Sequence, residues 1–316
     1  MRYSNSFGKK SSKILLGTAY FGDTISEETS FMIMDKFYEL GGRHIDTARL
    51  YADGESEKVI SRWLKSRKPE EVFVSTKGAF PLKETPDISR LSEKEIRQDL
   101  EKSLKALDAE CVDFYWLHRD DEKIPAGEII ETMNKFLKEG KFKRFGASNW
   151  RGERIKEANE YAKNKGLEGF SGSQMRFSPA IVAPSGNADR TLVDMNSEDF
   201  LFYKKAGIPV AAYASQAKGF FSKMADFGED GLSPKSKERY LCDENLKTLE
   251  VISELSQKYN LSIAAIICGA LCSFENPDVF PIIGGSNVKQ IEDSMSGVDL
   301  VVTEDELKSI FKYLKI

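Results

Sequence analysis

Asp46 and Tyr51 stand in the run HIDTARLYADGE, Lys77 closes VFVSTKG and His118 closes DFYWLH. Each accompanies a short apolar run, so all four emerge on one face if those runs are neighbouring strands. Taken singly, each has an ordinary role: a turn cap for Asp46, amphipathic packing for Tyr51, a surface charge for Lys77, a satisfied core histidine for His118. Together they offer a phenol as proton donor, a cation for the phenolate, a carboxylate to hold that cation and an imidazole to orient a carbonyl oxygen. That set suits carbonyl reduction. A free tyrosine titrates near ~10, whereas a lysine ~4 Å away at an effective dielectric of ~20 favours its anion by roughly 4 kcal/mol, at most about three pKa units. Lys77 is therefore expected to tune Tyr51. His44, beside Ile45, reads as a packed imidazole with no catalytic role.

The elements that must position these residues alternate between β-rich runs and amphipathic helices. The expected strands are Ile14–Gly17, His44–Thr47, Val72–Thr76, Val112–Leu117, Phe142–Ala147, Gly169–Met175, Val210–Ala214 and Val279–Ile283, after a short N-terminal hairpin. Eight such strands imply one α/β domain over residues 1–316, a (β/α)₈ TIM barrel. Ser26 caps a first helix with Glu27 and Glu28 in its first turn, Phe31, Met34, Phe37 and Tyr38 on its buried face and Gly41–Gly42 at its end. Ser92-x-x-Glu95 reads as a capping box before the stripe Ile96, Leu100, Leu104 and Leu107. Three long segments, Gly78–Leu91, Ser178–Asn196 and Phe220–Asn245, follow strands and are expected as loops over the active-site face.

Composition narrows the function classes. The chain has 316 residues with 30% charged and a net charge of −4, so no basic nucleic-acid footprint is present. The apolar run Ile263–Cys272 is about half the ~20 residues of a membrane-spanning helix, and MRYSNSFGKK lacks the apolar core of a signal peptide. A cytoplasmic protein is expected. The four cysteines form no CxxC pair; Cys268 and Cys272, one helical turn apart, read as helix packing, and two histidines leave no metal-ligand set. The latter also argues against a metal-dependent barrel hydrolase. Neither a GxG pair nor a GxxxxGK loop is present, so a dinucleotide would have to be bound by the barrel itself.

In this setting the chain resembles the aldo-keto reductase family over nearly its whole length. The blocks that carry the resemblance are LGTAYFG, IDTARLYADGESEKVISRWL, STKG, WLHRDD, FGASNW and IIGGSNVKQIED, in order. The resemblance implies a catalytic tetrad of Asp46, Tyr51, Lys77 and His118. Tyr51 would protonate the carbonyl oxygen, His118 and Tyr51 would cradle the oxyanion, Asp46 would anchor Lys77, and a nicotinamide would deliver hydride without metal.

For the cofactor it implies Ser148, Asn149 and Gln174 at the nicotinamide amide, Tyr213 stacked on its ring, and Thr18, Ala19 and Asp46 beside it. Ala214, Ser215, Gln216, Ala217, Lys218 and Gly219 would form the pyrophosphate loop, and Gly284, Gly285 and Ser286, leading into a helix, would take the adenosine phosphate. Gln290, Asp293 and Ser294 would lie near the adenine. NADP(H) is favoured, with NAD(H) kept as the alternative because Ser294 stands where many relatives have Asn and no Arg follows Ser286 where relatives often clamp a 2′-phosphate. Lys289 is as readily a solvated lysine as the missing cation.

Tyr20, Phe80, Trp116, Arg119 and Trp150 lie in or beside these segments and suggest an aromatic mouth with one cation. Tyr20, Phe80, Arg119 and Trp150 are the substrate-binding candidates, although Arg119 is expected to pair with Asp120 or Asp121. The expected partner is a small carbonyl or alcohol compound, of aryl-alcohol or sugar-related kind. An NADPH-sensing regulatory subunit, as in potassium-channel β subunits, is the second reading.

Overall fold

The computed structural model describes residues 1–183, 186 and 189–316. Eight parallel strands close into a barrel: β3 (Leu15–Gly17), β4 (His44–Asp46), β5 (Phe73–Gly78), β6 (Val112–Leu117), β7 (Phe142–Ser148), β8 (Ser173–Arg176), β9 (Val210–Tyr213) and β10 (Val279–Ile283), with β10 returning to β3. Parallel neighbours require a crossover each time, and the helices between them supply it on the outside of the barrel. The register sets Gly17, Asp46 and Ser75 side by side, then Lys77 beside Trp116 and Ser148 beside Gln174. Strand ends from β3 to β8 thereby form one continuous rim.

Six strands differ from expectation at one or both ends, and two boundaries move by more than one residue. Strand β5 runs on through Lys77, placing that side chain inside the barrel mouth rather than after it. Strand β8 begins at Ser173, not Gly169: the side chain of Asn159 accepts from the Phe170 N–H at 2.7 Å and donates to its carbonyl at 3.0 Å, which takes both groups away from any ladder.

The opposite end of the barrel is plugged. A two-stranded hairpin, β1 (Tyr3–Ser4) with β2 (Ser11–Ser12), inserts Phe7 between its strands. The Phe7 ring centroid lies 4.7 Å from Phe280, 5.4 Å from Phe114 and 5.9 Å from Trp116, and these rings with Leu15, Phe73 and Ala211 fill the lower barrel. Polar latches hold the plug, since Ser4 and Ser6 donate to Asp278, which also pairs with buried Lys13. A second, larger core lies between the barrel wall and the helices.

In α1 (Glu27–Glu39) the Ser26 hydroxyl accepts from Thr29 N at 3.2 Å; Ile33, Met34 and Phe37 are buried, with Phe31 and Tyr38 at the flanks of that face. In α3 (Glu93–Leu107) the Ser92 hydroxyl donates to the Glu95 carboxylate at 2.7 Å, and Ile96, Leu100, Leu104 and Leu107 are all buried. The segment expected as a loop at Phe220–Asn245 is largely helical instead, with α7 (Phe220–Phe227) entered through the left-handed Gly219 and α8 (Pro234–Tyr240) capped by Ser233 with Pro234 in its first turn. Of the segment Ser178–Asn196, residues 184, 185, 187 and 188 lie outside the described residues. No helix among the described residues is long and apolar enough to cross a membrane. Cys268 and Cys272 are buried in α10 (Ile263–Cys272), and the four cysteines are free thiols.

Candidate active site

Alternation along a strand aims residues two apart to the same side. In β4 this sends His44 and Asp46 inward together, and in β5 it does the same for Ser75 and Lys77. The Lys77 ammonium, wholly buried, donates to Asp46 Oδ2 at 2.5 Å and to the Thr47 carbonyl at 2.7 Å. The other Asp46 oxygen accepts from Ser75 Oγ at 2.8 Å and Gln174 Nε2 at 3.1 Å. Both carboxylate oxygens are thus engaged, which removes the cost of holding that charge out of water.

Tyr51 reaches this pair by a tight turn. It opens a single 3₁₀ turn, Tyr51–Gly54, in which Ala52 and Asp53 take left-handed φ of 48° and 54°, and Gly54 follows at 89°. The phenol ring centroid lies 5.0 Å from Lys77 Nζ. His118 follows β6, its N–H donating to the Gly78 carbonyl, and its ring lies edge-on to Tyr51 at 6.2 Å and to Phe80 at 5.0 Å. The structure therefore brings Asp46, Tyr51, Lys77 and His118 to one point of the rim.

Their charge states follow from burial and from one another. Burial holds the His118 imidazole well below its usual range, and the Arg119 and Lys77 cations push it further down. It is neutral at neutral pH. Burial pulls Lys77 down, but the charges of Asp46 and Tyr51 more than offset it, so the ammonium is retained. Tyr51 differs from the simple expectation: burial raises its phenol, Lys77 lowers it, Asp46 raises it again, and the net direction is up. The lysine tunes the phenol, yet burial outweighs it. His118 Nδ1 is buried with no hydrogen-bond partner among the described residues.

The rim beyond the tetrad carries the expected cofactor residues. Ser148, Asn149 and Gln174 are buried at adjacent strand ends; Asn149, at a left-handed φ of 61°, donates to the His118 carbonyl at 3.2 Å and accepts from the Tyr213 hydroxyl at 2.7 Å. Burial pushes the Tyr213 phenol up to about 12. Thr18 donates through N and Oγ1 to the Asp46 carbonyl, with exposed Ala19 next to it.

The loop 214–219 turns through left-handed φ at Ala214, Ala217, Lys218 and Gly219, a path that only Gly219 takes without a Cβ penalty. Ser215 donates to the Ile282 carbonyl, and Gln216 donates to buried Ser294 at 2.9 Å, tying this loop to α11 (Val288–Ser296). Ser286 donates to Gln290 beside Gly285; Asn287, not Ser286, caps α11; Gln290, Asp293 and Lys289 are exposed. Lys218 is held below its usual value by partial burial and then by three cations, Arg239, Arg176 and Lys235. Small left-handed residues beside that concentration of positive charge fit a pyrophosphate.

The substrate candidates divide. Tyr20 is 55% exposed at the mouth and Phe80 packs beside His118. Arg119 does not pair with Asp120 or Asp121. It turns over the mouth, with its guanidinium 4.6 Å from the Phe80 ring, donating to Asp189 at 3.1 Å, to Thr191 Oγ1 at 2.8 Å and to the His118 carbonyl. Asp120 turns the other way, to Arg154 of α5 (Gly152–Lys165), and burial raises its carboxyl to about 6. Neither tryptophan faces the mouth. Trp116 lies in the lower barrel, and Trp150 is fully buried against Phe170, its indole N–H donating to the Arg119 carbonyl. A bulky ring is cheaper inside than at a wet rim.

Residue-by-residue reading missed Ser75, Arg176 and Asp189. Arg176 carried a usable signal, lying two positions beyond Gln174 on the same side of β8; the reach of Asp189 to Arg119 across 70 residues of sequence left none.

The model of the aldo/keto reductase family matches residues 13–315. Norsolorinic acid reductase of Aspergillus flavus is 27% identical over 97% of this chain and 79% of that enzyme. Aryl-alcohol dehydrogenase GME11368 of Pestalotiopsis microspora is 27% identical over 94% of this chain and 76% of its own length. The solved thermostable aldo-keto reductase Tm1743, in complex with the inhibitor epalrestat, superposes with a TM-score of 0.74 over 99% of this chain and all of that one, at 20% identity, a likeness of fold. With that match over almost all of its length, the chain belongs to the aldo/keto reductase family.

Proposed function

We propose that this protein, acting as one cytoplasmic catalytic domain, reduces aldehydes or ketones, or oxidises the corresponding alcohols, with a nicotinamide cofactor. Tyr51 is its general acid. The observation that supports this most is the buried Lys77–Asp46 pair set beneath the Tyr51 ring. A bound nicotinamide supplies hydride to the carbonyl carbon. As negative charge grows on the carbonyl oxygen, Tyr51 gives up its proton and the fixed Lys77 ammonium stabilises the phenolate that remains. His118, neutral, orients that oxygen by a hydrogen bond and is not itself the acid.

NADP(H) is the cofactor favoured by the family resemblance, with NAD(H) as the alternative; Lys218, Lys235 and Arg239, with Arg176 of β8, gather the positive charge that suits the pyrophosphate common to both. Aromatic carbonyl compounds are the favoured substrates: Phe80 and Tyr20 stand at the mouth, and the relatives include an aryl-alcohol dehydrogenase and a norsolorinic acid reductase. Titration with NADPH and NADH by fluorescence, followed by nicotinamide absorbance against a panel of aldehydes, ketones and sugars, tests the reading. Tight NADPH binding with turnover of aromatic carbonyls is expected; binding without turnover favours a sensor of the cofactor, and no binding overturns the cofactor site.

A further inference from the structure

The second histidine is not a bystander to the tetrad. His44 is fully buried one layer below Asp46, with its ring 4.1 Å from Phe73 and 5.7 Å from Phe7. Its Nδ1 lies 2.9 Å from Ser11 Oγ of the plug hairpin, and its Nε2 lies 2.9 Å from Ser75 Oγ. Ser75 in turn donates to Asp46 Oδ1, while Asp46 Oδ2 takes the Lys77 ammonium. Ser11, His44, Ser75, Asp46 and Lys77 are all buried, so no bulk water offers a substitute partner.

Counting protons fixes the direction of this chain. Asp46 accepts only, as a carboxylate facing an ammonium, so the single Ser75 proton is committed to it. Ser75 must then be the acceptor from His44, and the imidazole must carry its proton on Nε2. Burial, with Lys77 and Lys9 as the charges facing the ring, keeps His44 neutral, leaving Nδ1 bare to accept from Ser11, whose Oγ lies 2.9 Å from Nδ1 and 3.1 Å from its other acceptor, the Ser12 carbonyl.

We propose that His44, in its Nε2–H form, is a positioning residue for the reductase chemistry: through Ser75 it locks the Asp46 carboxylate, and thereby the Lys77 ammonium, beneath Tyr51. The inference rests on the reductase reading of the site. Fixing the Ser75 hydroxyl fixes the plane of Asp46, and hence the field that Lys77 exerts on the phenol. Phe7 and Phe73 pack on the His44 ring, so an aliphatic residue would fill the layer but leave Ser75 free to turn from Asp46.

The test combines imidazole nitrogen NMR with the pH profile of aldehyde reduction by NADPH, using wild type, Ser75→Ala, His44→Leu and His44→Gln. With two histidines in the chain, one substitution assigns both rings. The Nε2–H form is expected for His44. Ser75→Ala and His44→Leu should move the alkaline limb of the profile to higher pH by about half a unit and lower kcat roughly tenfold, with KM and NADPH affinity within about twofold. Tyr51 is faced by Lys77, Asp46, Arg119 and the His118 ring, and none of these is altered. His44→Gln, which can present an N–H where Nε2 stood, should restore the profile that His44→Leu shifts. Should His44→Leu fail to fold, the His44 tautomer in wild type together with Ser75→Ala decides. An Nδ1–H imidazole, or an unmoved profile in folded His44→Leu or folded Ser75→Ala, would overturn the inference while leaving the reductase reading intact; a folded wild type that binds NADPH but turns over no carbonyl would overturn both.

Discussion

Lys77 Nζ lies 2.5 Å from Asp46 Oδ2, and both groups are almost completely shielded from solvent. A charge pair in that setting is tolerated because every carboxylate oxygen has a donor and the ammonium also finds the Thr47 carbonyl. Its placement under Tyr51 links a feature of the core to chemistry at the rim.

Removing the cation alone should therefore cost more than activity. Lys77→Met leaves Asp46 buried and uncompensated, and is expected to destabilise the fold by about 3 kcal/mol in chemical denaturation as well as abolish turnover. The double variant Asp46→Asn with Lys77→Met should regain much of that stability and none of the activity. Equal destabilisation in both would show that the charge pair is not what matters.

Stability should depend on pH through the two histidines. Both imidazoles are held well below the ordinary value of 6.5 in the folded chain. The unfolded chain then binds protons first, so stability is fully present above about pH 6.5 and falls as the pH drops below it, by up to about 1.4 kcal/mol per unit for each histidine. Denaturation midpoints between pH 7.5 and pH 5 measure this; Asp120, raised to about 6, opposes the trend in the same window, and His118→Phe should remove one histidine's share of it.

The Asp189 carboxylate masks Arg119 over the mouth. In Asp189→Ala the guanidinium is released beside Phe80, and a substrate with a carboxylate should gain. The expected change is a rise of about fivefold in kcat/KM for a carboxylated benzaldehyde relative to benzaldehyde itself, corresponding to roughly 1 kcal/mol at a partly solvated site. An unchanged ratio would mean that Arg119 serves only to tie down residues 189–191.

Much of this site can be read from spacing alone. The barrel follows from eight apolar runs, and the placement of Asp46, Lys77 and Gln174 follows from period two on strands that end at a common rim. What escaped the sequence depended on distance and direction. The partner of Arg119 is contributed by a remote loop, and adjacent residues Arg119 and Asp120 diverge because one serves the mouth and the other the outer helix layer. Trp150 looked like a mouth residue because it follows Asn149, yet the left-handed turn at Asn149 sends its ring into the core. Helices α7 and α8 were hidden by Gly, Pro and Ser, which here begin helices instead of breaking them.

The most direct measurement of the central claim is single-turnover reduction of an aromatic aldehyde by the NADPH complex of Tyr51→Phe, beside wild type. The loss of one phenol proton should slow nicotinamide oxidation at least about a hundredfold, with NADPH affinity unchanged. A rate within a few-fold of wild type would contradict the assignment of Tyr51 as the acid and, with it, the purpose assigned to the Lys77–Asp46 pair.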